Sequence, residues 1–145
     1  MKPLSENRRA RFDYEILETY EAGLELTGQE VKSVKLGHLN LSSSYSIIKN
    51  NEAWLLNSEI PAYQPKNAPE NYEPNRTRRL LLHKSEIKNL AGRLHDKGLS
   101  LIPLNAHLKK NLVKLDLGLA KSRKKHDKRE LLKKRTTQKE IREGK

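Results

Sequence analysis

The stretch Phe12–Gly37, FDYEILETYEAGLELTGQEVKSVKLG, decides how the rest of the chain is read. Its even positions Phe12, Tyr14, Ile16, Tyr20, Ala22, Leu24 and Leu26 are apolar. Its odd positions are mostly Asp or Glu, with Leu17, Thr19 and Gly23 as exceptions. A period of two predicts a long strand with one buried face. Gly23 near its middle is where such a strand is expected to bend or bulge around a small barrel. The period then changes. Thr27-Gly28-Gln29-Glu30 fits a capping box, in which the Thr hydroxyl accepts from a free amide and the Glu reaches back to the cap. Val31 and Val34 give the helix one apolar face, and Gly37 stops it.

Outward from this stretch, Met1–Arg11 is a polar basic arm with no apolar core of a signal peptide. Leu39, Leu41, Tyr45 and Ile47 alternate with polar residues and predict a second strand. Asn50-Asn51 predicts a tight turn, because Asn tolerates positive φ. Glu52–Asn57, with Ala53, Trp54, Leu55 and Leu56, then reads as the returning strand. Residues 58–77 hold Pro61, Pro65, Pro69 and Pro74 and predict a long irregular loop. Arg78–Leu82 reads as a short strand. Ile87, Leu90, Ala91 and Leu94 predict a helix reaching Lys97, with Gly98 as its C-cap. Leu99–Leu108 predicts a strand placed at an edge or bulged by Pro103, which lacks a donor. Lys109-Lys110-Asn111 predicts a turn. Val113, Leu115, Leu117 and Leu119 alternate with polar or small residues as a last strand. The fold expected is mainly β with two helices, a closed OB-like barrel, and such barrels commonly bind nucleic acid.

The chain of 145 residues carries 30 Lys and Arg against 18 Asp and Glu, a net charge of +12. Residues 121–145 hold 12 of the basic and 4 of the acidic residues, so +8 of that charge lies in one terminal arm. Two domains of behaviour follow: a barrel with its N-terminal arm over 1–120, and a basic tail over 121–145. The tail has too few apolar residues to fold alone and is expected to be disordered when free and helical when bound. A polyanion is the natural partner, and RNA the commonest one. No apolar run approaches the ~20 residues of a membrane-spanning helix, so a cytoplasmic protein without a membrane partner is expected.

The sequence shows no catalytic constellation. It has no Cys, which excludes thiol chemistry, disulfides and Cys-based zinc sites. His38, His83, His95, His107 and His126 form no ligand-spaced pair, and there is no GxSxG, Walker A or GxGxxG. No enzyme, no metal and no cofactor is expected. Basic residues do cluster: Asn7, Arg8, Arg9 and Arg11 before the barrel, Lys32 and Lys35 on the first helix, and Arg76, Arg78 and Arg79 around the short strand. With Tyr14, Tyr20 and Tyr45 they offer phosphate contacts and stacking surfaces. The tyrosines fit a barrel core as well.

Several collinear motifs resemble the SmpB family, the tmRNA-binding proteins of bacterial ribosome rescue. They are N-R-R-A-R-F-D-Y from Asn7, E-A-G followed by T-G-Q-E-V-K-S, the later S-Y, R-T-R-R-L-L-L-H from Arg76, and A-K-S-R-K-K-H-D-K-R-E from Ala120. The resemblance implies an OB-like barrel that clamps the tRNA-like domain of tmRNA and is delivered with it to a stalled ribosome. It implies that the tail enters the decoding centre and the empty mRNA channel, where rRNA is its partner, and becomes helical there. Asn7, Arg9, Tyr14, Glu21, Tyr45 and Leu81 match the family's tmRNA-binding surface, and Arg76 and Arg78 are expected to contribute phosphate contacts. Lys121, Arg123, Lys124, His126, Asp127, Lys128 and Arg129 match the segment that acts in decoding. Relatives commonly carry Gly where this chain has Ser122, which implies a stiffer hinge between barrel and tail. A monomer is expected. The competing reading is a constitutive ribosomal or ribosome-assembly protein, which shares the charge and the barrel.

Overall fold

The computed structural model describes residues 3–64, 66, 71–96, 98–123 and 128–133. In chain order the elements are β1 (Ser5–Glu6), α1 (Ala10–Asp13), β2 (Tyr14–Leu24), α2 (Gly28–Lys35), β3 (Tyr45–Lys49), β4 (Glu52–Leu56), β5 (Arg78–Leu81), α3 (Lys84–Arg93), β6 (Leu99–Lys109) and β7 (Leu112–Ser122). The strands lie in the order β1-β6-β3-β4-β5-β2-β7, and β6 also pairs with β7. That last pairing closes six antiparallel strands into a barrel, with β1 as an added strand on β6. Closure removes the exposed sheet edges that invite aggregation.

β7 explains why the barrel closes. It pairs along most of its length with β2 on one side, over 114–122, and with β6 on the other, over 112–121. Its odd residues Val113, Leu115, Leu117 and Leu119 all face the core, as the alternation predicts. Both partners break register beside it, β2 between Ile16 and Glu18 and β6 between Pro103 and Asn105. The bulge on β2 is therefore at Leu17, not at the expected Gly23. Each bulge adds a residue and turns the following side chains to the opposite face. Tyr14 and Ile16 consequently pack outside the barrel on Ala10, Ile102, Leu104 and Ala120, while Tyr20, Ala22 and Leu24 join the main core. The single buried face read from the even positions is two faces. Gly118 sits between them, where a Cβ would stand 3.2 Å from Ile16 and Leu104 side-chain atoms. Pro103 lies next to the bulge on β6, which accommodates its missing donor.

Three other expectations change. Phe12 lies in α1 rather than in the long strand. Leu39 and Leu41 are buried but not in a strand. Asn40 Oδ1 accepts from the Ser42 amide (2.9 Å) and hydroxyl (2.7 Å), and Ser44 Oγ donates to the Leu41 carbonyl at 2.6 Å. These short side chains satisfy the backbone locally, so β3 begins only at Tyr45. Its core-facing residues are Ser46 and Ile48, while Tyr45 is 42% exposed. Finally, α3 ends at Arg93, and Gly98 (φ 85°) serves the turn before β6 rather than the helix cap.

The capping box is present as read: the Glu30 amide donates to Thr27 Oγ1 at 3.3 Å, and the Thr27 amide to Glu30 Oε1 at 3.0 Å. Asn50 (φ 54°) and Asn51 (φ 61°) make the β3–β4 turn, as their tolerance of positive φ predicts. α3 buries Leu90 in the core. Its polar face ties to β2 through Asn89 Nδ2 to Tyr20 Oη (3.2 Å) and Arg93 Nη1 to Glu18 Oε1 (3.0 Å).

Candidate nucleic-acid interface

A groove of about 650 Å³ opens between α1, the start of β3, α3 and the first half of β6. Asn7, Arg9 and Tyr14, and Tyr45 from a distant part of the sequence, all line it. Asn7 is 6% exposed. Its Nδ2 donates to the carbonyls of Pro103 (3.0 Å) and Leu41 (3.3 Å), so it seats the N-terminal arm on the barrel. Its Oδ1 and the Ser46 Oγ are buried without a hydrogen-bond partner among the described residues, and both residues line this groove. Arg9 is exposed; its guanidinium lies 5.1 Å from the centre of the Phe12 ring and 3.5 Å from Asp13 Oδ1. Tyr45 presents its ring to solvent beside a row of serines, Ser42 to Ser44. The groove thus offers an aromatic surface, a cation and several hydroxyls, which suits unstacked bases and their phosphates.

Glu21 and Leu81 are not in that groove. They lie on the outer face, Leu81 where β5 meets β2 and Glu21 on β2 opposite Asp116 of β7. Gly23 pairs with Leu81, and a Cβ there would stand 3.3 Å from the Leu81 Cβ, so a side chain at 23 would press on Leu81. Leu81 is 49% exposed. Glu21 Oε1 accepts from Lys109 Nζ at 3.2 Å, and its Oε2 lies 3.3 Å from His107 Nε2. The Lys109 hydrogen bond, with that of His107 behind it, holds the Glu21 carboxyl below its ordinary range. His107 Nδ1 lies 4.0 Å from Asp116 and 3.3 Å from Asn105 Oδ1. Scanning histidine spacings along the chain could not find this group, because its members come from β2, β6 and β7. The one sequence signal was local: His107 and Lys109 share a strand face at i, i+2. Glu21, His107 and Asp116 place one ligand atom each within 4.8 Å of one another, but the Lys109 ammonium already occupies Glu21.

Arg76 and Arg78 form a third centre, around Glu30. Arg78 is 0% exposed. Its Nε and Nη2 donate to Glu30 Oε2 at 2.9 and 2.6 Å. Its Nη1 donates to the Ser58 carbonyl and hydroxyl, each at 3.1 Å, and its Nη2 to the Pro74 carbonyl at 2.9 Å. The expectation that Arg78 touches RNA is corrected by this burial: all of its polar edge is spent inside the protein. Arg76 donates from Nε to Glu30 Oε2 at 3.2 Å and from Nη2 to Oε1, and keeps part of its side chain in solvent. Burial pushes the Glu30 carboxyl up, but the hydrogen bonds from Arg76, the Thr27 amide and Arg78 outweigh it and pull it below its ordinary range. Glu30 therefore caps α2 and fastens the 58–77 loop. That loop is further held by Ile60 N to the Pro74 carbonyl (2.9 Å) and the Tyr72 hydroxyl to the Ile60 carbonyl (2.5 Å).

At the barrel exit, Lys121 and Ser122 still belong to β7, paired with Glu15 and Tyr14. Ser122 is thus a strand residue, not a hinge. The Arg123 amide donates to the Asp13 carbonyl at 2.9 Å. Lys124, His126 and Asp127 lie outside the described residues. Residues 128–133 are helical, with Lys128 Nζ 3.2 Å from Asp13 Oδ1 of α1 and Arg129 exposed.

Comparison with known proteins agrees along the chain. The family model described as SmpB protein matches residues 4–144. The SsrA-binding protein of Gloeothece citriformis is 51% identical over 140 residues, spanning 97% of this chain and 90% of that protein. That of Thermosynechococcus vestitus is 52% identical over 141 residues, spanning 97% and 93%. The solved structure "tmRNA-SmpB: a journey to the center of the bacterial ribosome" superposes with a TM-score of 0.68 at 45% identity, over 83% of this chain and 84% of its own. Matched over nearly its whole length by the family model and by relatives of about half identity, the chain belongs to the SmpB family.

Proposed function

We infer that the chain binds the tRNA-like domain of tmRNA and delivers it to stalled ribosomes in trans-translation. The observation that carries this reading is the identity of about half the residues to SsrA-binding proteins over 97% of the chain. The barrel groove supplies the chemistry. Arg9 contacts phosphate, Tyr14 and Tyr45 meet unstacked bases, and Asn7 holds the arm that presents Arg9. Glu21 reads base NH groups with the lone pairs that Lys109 and His107 leave free, and Leu81 gives it an apolar neighbour. Arg76 adds a cation at the loop, while Arg78 supports it from inside.

The tail is the ribosomal half. Lys121, Arg123, Lys124, His126, Asp127, Lys128 and Arg129 line a basic segment suited to rRNA at the decoding centre, and the residues beyond continue into the empty mRNA channel. The family is one of RNA-binding proteins, and we read this member as a carrier without catalytic chemistry, acting as a monomer in the cytoplasm where ribosomes are. No helix among the described residues is long and apolar enough to cross a membrane. The test is capture of the tagged protein from cells followed by sequencing of the bound RNA. Enrichment of tmRNA, with far less than one copy of the protein per ribosome, is expected. Stoichiometric copies on every ribosome without tmRNA would assign it to the constitutive ribosomal proteins instead.

A further inference from the structure

We propose that a second groove, on the outer face of the β3–β4 hairpin, holds one unpaired nucleotide of the same RNA that fills the first groove. The inference rests on the RNA-binding reading above and extends its interface to residues with no assigned part in it. The groove measures about 420 Å³, within the range of small-ligand pockets, about 300–1,000 Å³. Its lining includes Ile47, Lys49, Asn50, Glu52, Trp54 and Leu56. The register sets Ile47 opposite Trp54 and Lys49 opposite Glu52, so period two puts these on one face. The other face, Ser46, Ala53 and Leu55, is buried in the barrel. Trp54 is therefore an indole that the core does not use, placed on the solvent side between two aliphatic residues.

Three observations select RNA as the occupant. Ile47 lines both grooves, and Tyr45 of the first stands opposite Leu56 of the second, so the two form one continuous track across β3. The chemistry along it suits a nucleotide. The indole gives a stacking face, and the Asn50 amide supplies a donor and an acceptor for a base edge. Lys49 is exposed and has no ion-pair partner among the described residues, which leaves it for a phosphate. Glu52 is neutralised by Arg79 at 3.3 Å, so the rim does not repel an anion. Finally, a second copy of a chain carrying +12 would be repelled from the site.

The chain has a single Trp, so its fluorescence reports this groove alone. The full chain is titrated with an end-labelled transcript of the tRNA-like domain of tmRNA. Binding is followed by anisotropy of the RNA, and Trp54 by its emission and its quenching by acrylamide. Saturating RNA should change the emission and shield Trp54 from acrylamide at the midpoint seen by anisotropy. Trp54→Ala should weaken binding roughly 5- to 150-fold, the loss of one stacked base, while Trp54→Phe retains most of the affinity. Should Trp54→Ala unfold, Lys49→Ala is the second variant, expected to reduce the salt slope of binding by about one. RNA that binds while Trp54 emission, its shielding and the Lys49→Ala slope stay unchanged overturns the groove and leaves the RNA-binding reading standing. Emission that depends on protein concentration and not on RNA assigns the groove to a second copy and also overturns the proposal. No binding of the transcript at all overturns both readings.

Discussion

Lys128 Nζ stands 3.2 Å from Asp13 Oδ1, so the tail starts its course docked on α1. Lys128 also lies 5.9 Å from the centre of the Phe12 ring, which Arg9 approaches at 5.1 Å. Asp13 thus shares its carboxylate between a groove residue and a tail residue. A partly exposed ion pair is worth about 0.2–1 kcal/mol, enough to bias the tail without anchoring it. Asp13→Asn should speed amide hydrogen exchange in 128–133 severalfold and leave the melting temperature of the barrel nearly unchanged. Exchange equal to that of the parent protein would show that the ion pair does not hold the tail.

Glu30→Gln should be among the most damaging conservative changes in the chain. Arg78 would stay buried opposite a neutral amide, and breaking one partner of a buried pair costs about 3–5 kcal/mol. Urea unfolding at neutral pH measures it. The pH dependence follows from the sign of the shift. The Glu30 carboxyl is lowered in the folded state, so its contribution is full above its unfolded value, about 4.3, and is lost as pH falls below it. The acid sensitivity of the parent below about pH 4.3 should therefore be blunted in Glu30→Gln. Identical acid unfolding of both proteins would remove Glu30 from that role.

Gly118→Val tests the two-faced packing of β7. The added atoms meet Ile16 and Leu104 from a Cβ already at 3.2 Å. Overpacking of this kind costs about 1–3 kcal/mol, read as a lower urea midpoint. A variant as stable as the parent would mean that the outer cluster yields freely.

Glu21→Gln removes a carboxylate that Lys109 and His107 hold by hydrogen bonds and adds an unwanted donor. Discrimination between the tRNA-like domain and an unrelated hairpin RNA should fall roughly tenfold in a competition assay. Affinity for both RNAs should hold or rise, because a carboxylate repels phosphate. Unchanged relative affinities would assign Glu21 to holding Lys109 and His107 in place.

Truncation should be made after Arg123, since a cut at Ala120 removes the last pairs of β7 with β2. The shortened protein should melt within a few degrees of the full chain and still bind the tRNA-like domain, with a weaker salt dependence. Peptide tagging on stalled ribosomes should fail. Tagging by the truncated protein would refute the division into an RNA-binding barrel and a ribosome-probing tail.

Local features of this protein were legible in the sequence by itself. The Thr27–Glu30 capping box spans four residues, the Asn50-Asn51 turn two, and the β7 alternation follows from the pleat. In each case the residues that make the feature are chain neighbours, so their spacing determines their geometry. The collinear motifs likewise carried the family. Contacts between distant residues were decided only by the tertiary structure. Glu30 meets Arg78 across 48 positions, and Glu21 meets His107 across 86. The two bulges lie where β2 and β6 break register against β7, and the one on β2 moved Tyr14 and Ile16 to a face that their parity did not show. A guanidinium reads the same in sequence whether it is offered to a phosphate or buried against a carboxylate. Burial separates Arg78 from Arg9, and burial is a property of the closed barrel.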